Sequence, residues 1–211
     1  MHNIIDETMI NQLRDTVSST LSPHRLRHTL GVEQMSLDIG KEFTLDPYDL
    51  ILLRCAALLH DITKEYSFEK QLKICSEFGI MLRDDEISCP PVLHAITAAA
   101  IIPTQYPNFN IPEIVSSVRW HTTGKRDMSL LEKIICFADY IEYGRQYESC
   151  VKARNSFWSE IKLCDTVNDK YICLDKALKQ SLDSTVANIT NKGGVVNADT
   201  IEAIMHLDAS H

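Results

Sequence analysis

The sequence predicts an all-α fold, a helical bundle, on three observations. Gly and Pro number only 7 each in 211 residues, so little of the chain is committed to turns and bends. Apolar residues recur at i, i+3, i+4 and i+7 behind recognisable N-cap residues. No segment alternates apolar and polar residues between turn pairs in the manner of a strand.

The elements follow in order. Ile4, Ile5, Met9, Ile10, Leu13 and Val17 form one apolar stripe, which predicts a first amphipathic helix ending near Leu21. Ser22-Pro23 reads as N-cap and first-turn proline of a second helix, which carries Arg25 and His28 and ends near Gly40. Asp46-Pro47 repeats the device and opens the nearly apolar run 50–59, broken only by Arg54. A helix without a polar face belongs in the centre of a protein. At half the roughly 20 residues that span a bilayer, this run is no membrane segment. His60-Asp61 closes it.

A weaker pattern covers 68–78. After Pro90-Pro91 a helix carries His94, and Asn110 with Pro112 starts another that ends at Trp120-His121. The turn Thr122-Thr123-Gly124 leads to Ser129 and Glu132, whose spacing is that of a capping box. The helix so started runs through Asp139 to a stop at Gly144. Two further patterns, about 170–189 and 199–207, flank Gly193-Gly194. No repeat, low-complexity tract or clean boundary divides the chain, so a single domain over 1–211 is expected.

Composition narrows the function. A net charge of −8 and the lack of a basic stripe interleaved with aromatics argue against a nucleic-acid partner. A small anionic ligand stays open, because a metal and a few aimed cations reverse the local field in a cleft. The N-terminal stretch is mixed in charge, with neither a basic region nor a continuous apolar run, so no export is expected. The seven cysteines, Cys55, Cys75, Cys89, Cys136, Cys150, Cys164 and Cys173, contain no CxxC pair. A reducing cytoplasm is the expected setting, with no membrane partner.

Asp139 is the most telling residue. It lies mid-helix among apolar neighbours, where a carboxylate needs a cation or a metal, unless it sits on the exposed edge of the helix. His60-Asp61 joins an imidazole and a carboxylate at a helix end, a donor pair that suits Fe, Mn, Zn or Co better than Ca or Mg. Taken alone, that pair reads more readily as a cap or a satisfied core pair than as a metal site. His28, His94 and His121 are each unremarkable alone, and none forms a local metal-binding spacing.

Their order is informative. His28, His60-Asp61, His94, His121 and Asp139 form the H…HD…H…H…D series of the HD-domain superfamily. The wording RLRHTLGV, ALLHDITKEY, LHAITAA, RWHTTGKRDMSLLEKIICFADYIEYGR and NADTIEA resembles most closely its YqeK-type branch, the symmetrical bis(5'-nucleosyl)-tetraphosphatases. The resemblance covers about residues 21–207, with the motifs in about 21–145 and the C-terminal helices completing a nucleotide pocket. The chain departs from that branch at Tyr143, where Pro is usual, and at Asn197-Ala198, where a His/Tyr-Pro pair is usual.

The resemblance implies an HD-type helical bundle with iron, in one or two atoms, held by His28, His60, Asp61 and Asp139; Mn, Co or Zn are substitutes. It implies that Arg25, Asp61, Ile62, Thr63, Lys64, His94, His121, Thr122, Asp139, Arg145, Asn197 and Thr200 face the nucleotide, with Asp61, Lys64, His94 and His121 in catalysis. The residues agree in part. Arg25 lies three positions before His28 on one helix face, and Lys64 follows the HD corner. Lys64 and Arg145 read otherwise as solvated surface charges. His94 and His121 take either phosphate or a second metal.

The implied reaction is hydrolysis of diadenosine tetraphosphate to two ADP by water whose pKa the metal lowers. Other members of the superfamily cut deoxynucleoside triphosphates, nucleoside monophosphates, (p)ppGpp or cyclic dinucleotides, the last disfavoured by Thr122-Thr123-Gly124 where a GYP-type motif would stand. A regulatory module without catalysis is a different class of reading, and retention of all six pattern residues speaks against it. The oligomeric state stays open, a homodimer included.

Overall fold

A computed structural model describes residues 5–209; Ile4, placed above in the first helix, lies outside them. Among the described residues every regular element is helical and no strand occurs. The helices are α1 (Glu7–Thr20), α2 (Pro23–Glu42), α3 (Pro47–Leu59), α4 (Phe68–Glu77), α5 (Asp84–Ile87), α6 (Leu93–Gln105), α7 (Pro112–Trp120), α8 (Leu130–Ile141), α9 (Glu148–Ile161), α10 (Val167–Asn191) and α11 (Ala198–Ala209). Single 3-10 turns, Pro90–Val92 and Pro107–Phe109, precede and follow α6.

Cap chemistry sets most starts. The Ser22 hydroxyl accepts the Arg25 amide, and the Asp46 carboxylate accepts those of Tyr48 and Asp49, each satisfying donors a first turn leaves free. Ser129 and Glu132 form the expected capping box. α7 begins at Pro112, and its N-cap, Ile111, makes no side-chain bond. α2 runs past Gly40 to Glu42, and α8 stops at Ile141, ahead of Gly144. α10 begins at Val167, behind a capping box of Thr166 and Asp169. α5 and α9 are additional to the sequence reading.

α3 is the central element, buried from Leu52 through Leu59 except at Arg54. Arg54 escapes the core by pairing with Glu33 on α2, at 3.1 Å, and Glu7 on α1, at 2.5 Å. α2 and α7 pack on α3, and α8 touches α2, α3, α7 and α10. One apolar cluster draws on every helix but α5. It brings the second turn of α2, the end of α3, the start of α6, the end of α7 and the last turn of α8 to one point. Among the described residues no helix is long and apolar enough to cross a membrane, and all seven cysteines are free thiols.

Candidate metal centre

Five helices deliver six side chains to that point. His28 comes from the second turn of α2. His60 is the residue that ends α3 and Asp61 follows it, His94 lies in the first turn of α6, His121 ends α7 and Asp139 sits in α8. All four histidines and Asp61 are buried, and Asp139 opens on a cavity.

The Nδ1 contacts fix the protons. His60 Nδ1 donates to the Ala57 carbonyl at 2.6 Å, His94 Nδ1 to that of Pro91 at 2.6 Å, and His121 Nδ1 to that of Val118 at 2.7 Å. A carbonyl oxygen only accepts, so each Nδ1 carries the hydrogen and each Nε2 of a neutral ring presents a lone pair. For His60 and His121 the acceptor is one of the unpaired carbonyls in the last turn of the helix they end. His28 Nδ1 instead faces Glu142 Oε1 at 3.2 Å.

The four Nε2 atoms then meet. His28 and His60 approach to 3.4 Å, and His94 and His121 to 2.9 Å. Asp61 lies between the pairs: Oδ2 is 3.3 Å from His60 Nε2 and 3.5 Å from His28 Nε2, while Oδ1 is 3.1 Å from His94 Nε2. Because His94 Nε2 has no proton to give, Asp61 Oδ1 is a buried acceptor without a donor. Asp139 Oδ1 completes the group at 3.0 Å from His28 Nε2. Lone pairs and carboxylate oxygens facing one another at such distances need a cation among them. Two overlapping sets fit one: His28, His60 and Asp139, and His60, Asp61 and His121. Mixed imidazole and carboxylate donors with their distal N–H groups already bonded suit a divalent transition metal.

Protonation tracks this arrangement. Burial pulls His94 down to about 3, helped by Lys64, and burial also lowers His121. Burial would lower His28 too, but its bonds to Asp139 and Glu142 outweigh that and raise it to about 9. Burial works to raise Asp61 and Asp139. The histidines around them prevail, with Arg145 adding to the effect on Asp139, and both stay well below the usual carboxylate range. Without a metal, a proton on His28 supplies the positive charge that the carboxylates require.

The predicted substrate residues divide. Lys64, His121, Thr122, Asp139 and Arg145 line one cavity of about 530 Å³. Lys64 Nζ lies 3.2 Å from both ring nitrogens of His94. Arg25 stands behind the site, its Nη1 2.5 Å from Asp61 Oδ2. Successive residues of the turn after α3 point different ways, and Ile62 and Thr63 point inward. Ile62 joins the apolar core, and the Thr63 hydroxyl donates to the His94 carbonyl at 2.8 Å. Asn197 and Thr200 lie outside the cavity lining, as do Arg25 and His94. Asn197 spends its amide on Asp85, at 3.1 Å, and on the Asp199 amide of α11, at 3.0 Å, and Thr200 is buried beside it.

Two features were absent from the sequence reading. Glu142 is one. The other is the far wall of the cavity, formed by Ser181, Ser184, Thr185, Asn188 and Lys192 of α10. Their spacing of three, one, three and four makes a polar stripe along one helix face, a signal that could have found them.

Relatives share this frame. A symmetrical bis(5'-nucleosyl)-tetraphosphatase of Bacillus subtilis is 30% identical over 186 residues, 87% of this chain and 89% of that one. Its namesake in Halalkalibacterium halodurans is 28% identical over 185 residues, 88% and 89% of the two chains. That of Staphylococcus aureus is 26% identical, over 95% of each. A crystal structure of a predicted HD superfamily hydrolase involved in NAD metabolism, from Clostridium acetobutylicum, superposes with a TM-score of 0.81 at 30% identity, over 95% of this chain and 97% of that one. The HD domain family model matches residues 25–144, which span all six clustered side chains, and the chain belongs to that family.

Proposed function

We propose that this protein is a metal-dependent phosphohydrolase that cleaves diadenosine tetraphosphate symmetrically into two ADP, with iron as its metal. One observation carries the reading: His121 and Asp139, two members of the buried donor cluster, line a cavity whose walls also bear Lys64, Arg145 and Lys192. A polyanion fits that arrangement, and about 530 Å³ lies in the range of small-molecule sites. The curated relatives carry the substrate in their names.

His28, His60, Asp61 and Asp139 hold the metal. When bound, it supplies Lewis acidity toward a phosphoryl oxygen and a lowered pKa for water. The chain's own residues do the positioning on which phosphoryl transfer depends. Lys64 Nζ and the N–H groups of Arg145 not turned to Asp139 donate to phosphate oxygens, and the Thr122 hydroxyl, 3.1 Å from His94 Nε2 and 3.0 Å from His121 Nε2, steers its single hydrogen among these acceptors. Arg25 keeps Asp61 ionised and oriented from behind.

A second reading concerns metal count. His94 Nε2, His121 Nε2 and Asp61 Oδ1 form a donor group of their own that would hold a second metal, with Asp61 common to both groups. Elemental analysis of the loaded protein separates one metal from two per chain. The substrate is tested with purified, metal-replete protein given diadenosine tetraphosphate, deoxynucleoside triphosphates and (p)ppGpp in parallel. ADP is the expected product, bearing the label when the reaction runs in ¹⁸O water. ATP plus AMP, or no turnover of diadenosine tetraphosphate, overturns the assignment.

A further inference from the structure

Three of the four clustered histidines are oriented by backbone carbonyls three residues earlier, and His28 alone is oriented by a carboxylate. The cause is local. His28 lies inside α2, in its second turn, where carbonyls already accept the helix's own amides, so its Nδ1–H needs an acceptor from another element. We infer that Glu142 is a positioning residue that fixes the His28 tautomer and strengthens Nε2 as a donor, so that His28 with Glu142 sets the affinity and ligand field of the metal. This rests on the reading of His28 as a metal ligand.

The surroundings are shaped to keep a carboxylate there. Glu142 follows the last residue of α8 and is 3% exposed. The Gly144 amide donates to Oε2 at 2.5 Å. Gly31, three residues after His28 on α2, leaves the space that Oε2 occupies, since a Cβ there would overlap that oxygen. A Cβ on Gly144 would lie 2.9 Å from the same atom. From α9, Arg154 Nη1 donates to the carbonyls of Glu142, at 2.7 Å, and Ile141, at 3.1 Å, clamping the turn. An apolar side chain would end α8 without these demands. What the carboxylate adds is a charged acceptor on the distal nitrogen of His28, which draws its proton outward and leaves Nε2 more electron-rich.

Glu142→Gln keeps size, shape and one carbonyl acceptor; it removes the charge and leaves an NH2 group where one of the two accepting oxygens stood. With the full chain at 20 °C, chelator competition with Mn²⁺ is expected to show a dissociation constant about 10- to 100-fold above wild type. The visible absorption bands of bound Co²⁺ should shift, which a change in fold stability alone would not produce. Gly31→Ala, which pushes the carboxylate off His28, should weaken Mn²⁺ binding in the wild-type chain and cost nothing further in Glu142→Ala, as a double-mutant cycle reads it. A Glu142→Gln protein that binds Mn²⁺ within about twofold of wild type with unmoved Co²⁺ bands overturns the inference. Wild-type protein that binds neither ion would overturn it by removing the metal-site reading itself, a result of a different kind.

Discussion

Truncation of Arg145 to Ala probes how the phosphate chain is held. Arg145 lies one short turn beyond α8, with its Nη2 2.8 Å from Asp139 Oδ1 and its Nε donating to the Asp139 carbonyl at 3.1 Å. A guanidinium has five N–H donors, so most of its fork still points toward the cavity it lines. A charge-assisted bond to a phosphate oxygen contributes about 1.5–3 kcal/mol. At 1.36 kcal/mol per decade this is a fall of roughly 10- to 150-fold in kcat/KM. The structure adds a second effect, because Asp139 loses its guanidinium partner and its grip on the metal loosens. Activity of Arg145→Ala should therefore depend on added metal more steeply than that of wild type, and the phosphate deficit should remain at saturating metal. Arg145→Lys keeps the charge without the fork and should fall between the two. Steady-state kinetics across a metal titration is the assay. An Arg145→Ala enzyme within about threefold of wild type at every metal concentration would refute the placement of the phosphate chain.

Asp139→Asn should lose both metal retention and hydrolysis, and full metal content by elemental analysis would remove Asp139 from the ligand set. In metal-free protein, His28 titrates near 9 instead of its ordinary 6.5. The stability this gives is fully present below pH 6.5 and is lost as pH rises through 9, by on the order of 3 kcal/mol at most. Urea unfolding at pH 6 and pH 9.5 should show the decline, and Asp139→Asn should flatten it. Phe137→Ala empties a fully buried site against Phe157, whose ring centroid is 5.0 Å away, and should cost about 3–5 kcal/mol in denaturant unfolding. Two residues from Asp139 on the helix, Phe137 faces the opposite way, so metal affinity in the folded variant should stay near wild type.

Much of the frame was legible because helix starts are written in side chains. Ser22-Pro23, Asp46-Pro47 and the Ser129–Glu132 pair announce α2, α3 and α8, which carry four of the six clustered residues. α9 announces nothing: Tyr147 caps it without a side-chain bond, and its buried residues are only Cys150, Phe157 and Ile161. α5 is a single turn, too short to show a period. Within the site, the ordered histidines and aspartates stood out as a series, while the direction of each side chain did not. Ile62 and Thr63 belong to the turn that carries His60 and Asp61, and a linear pattern cannot tell which members of a turn point at the metal. Asn197 and Thr200 came from resemblance in the segment where this chain departs from the pattern, and here that segment bonds to Asp85 instead.

The acceptors that orient the histidines were hidden for a further reason. Three are main-chain carbonyls and carry no residue identity, so His60, His94 and His121 can be aimed by almost any sequence that ends or begins a helix in the right place. Only the fourth acceptor is a side chain, and it stands 114 positions from the ring it orients. Glu142 therefore shows in the sequence as one more charge after a helix, although the glycines at 31 and 144 leave it room. The three carbonyl-bound rings are held by helix geometry, which a point mutation barely moves. His28 is held by a single replaceable carboxylate, which makes it the one histidine of the four that a side-chain substitution elsewhere can re-aim without touching a metal ligand.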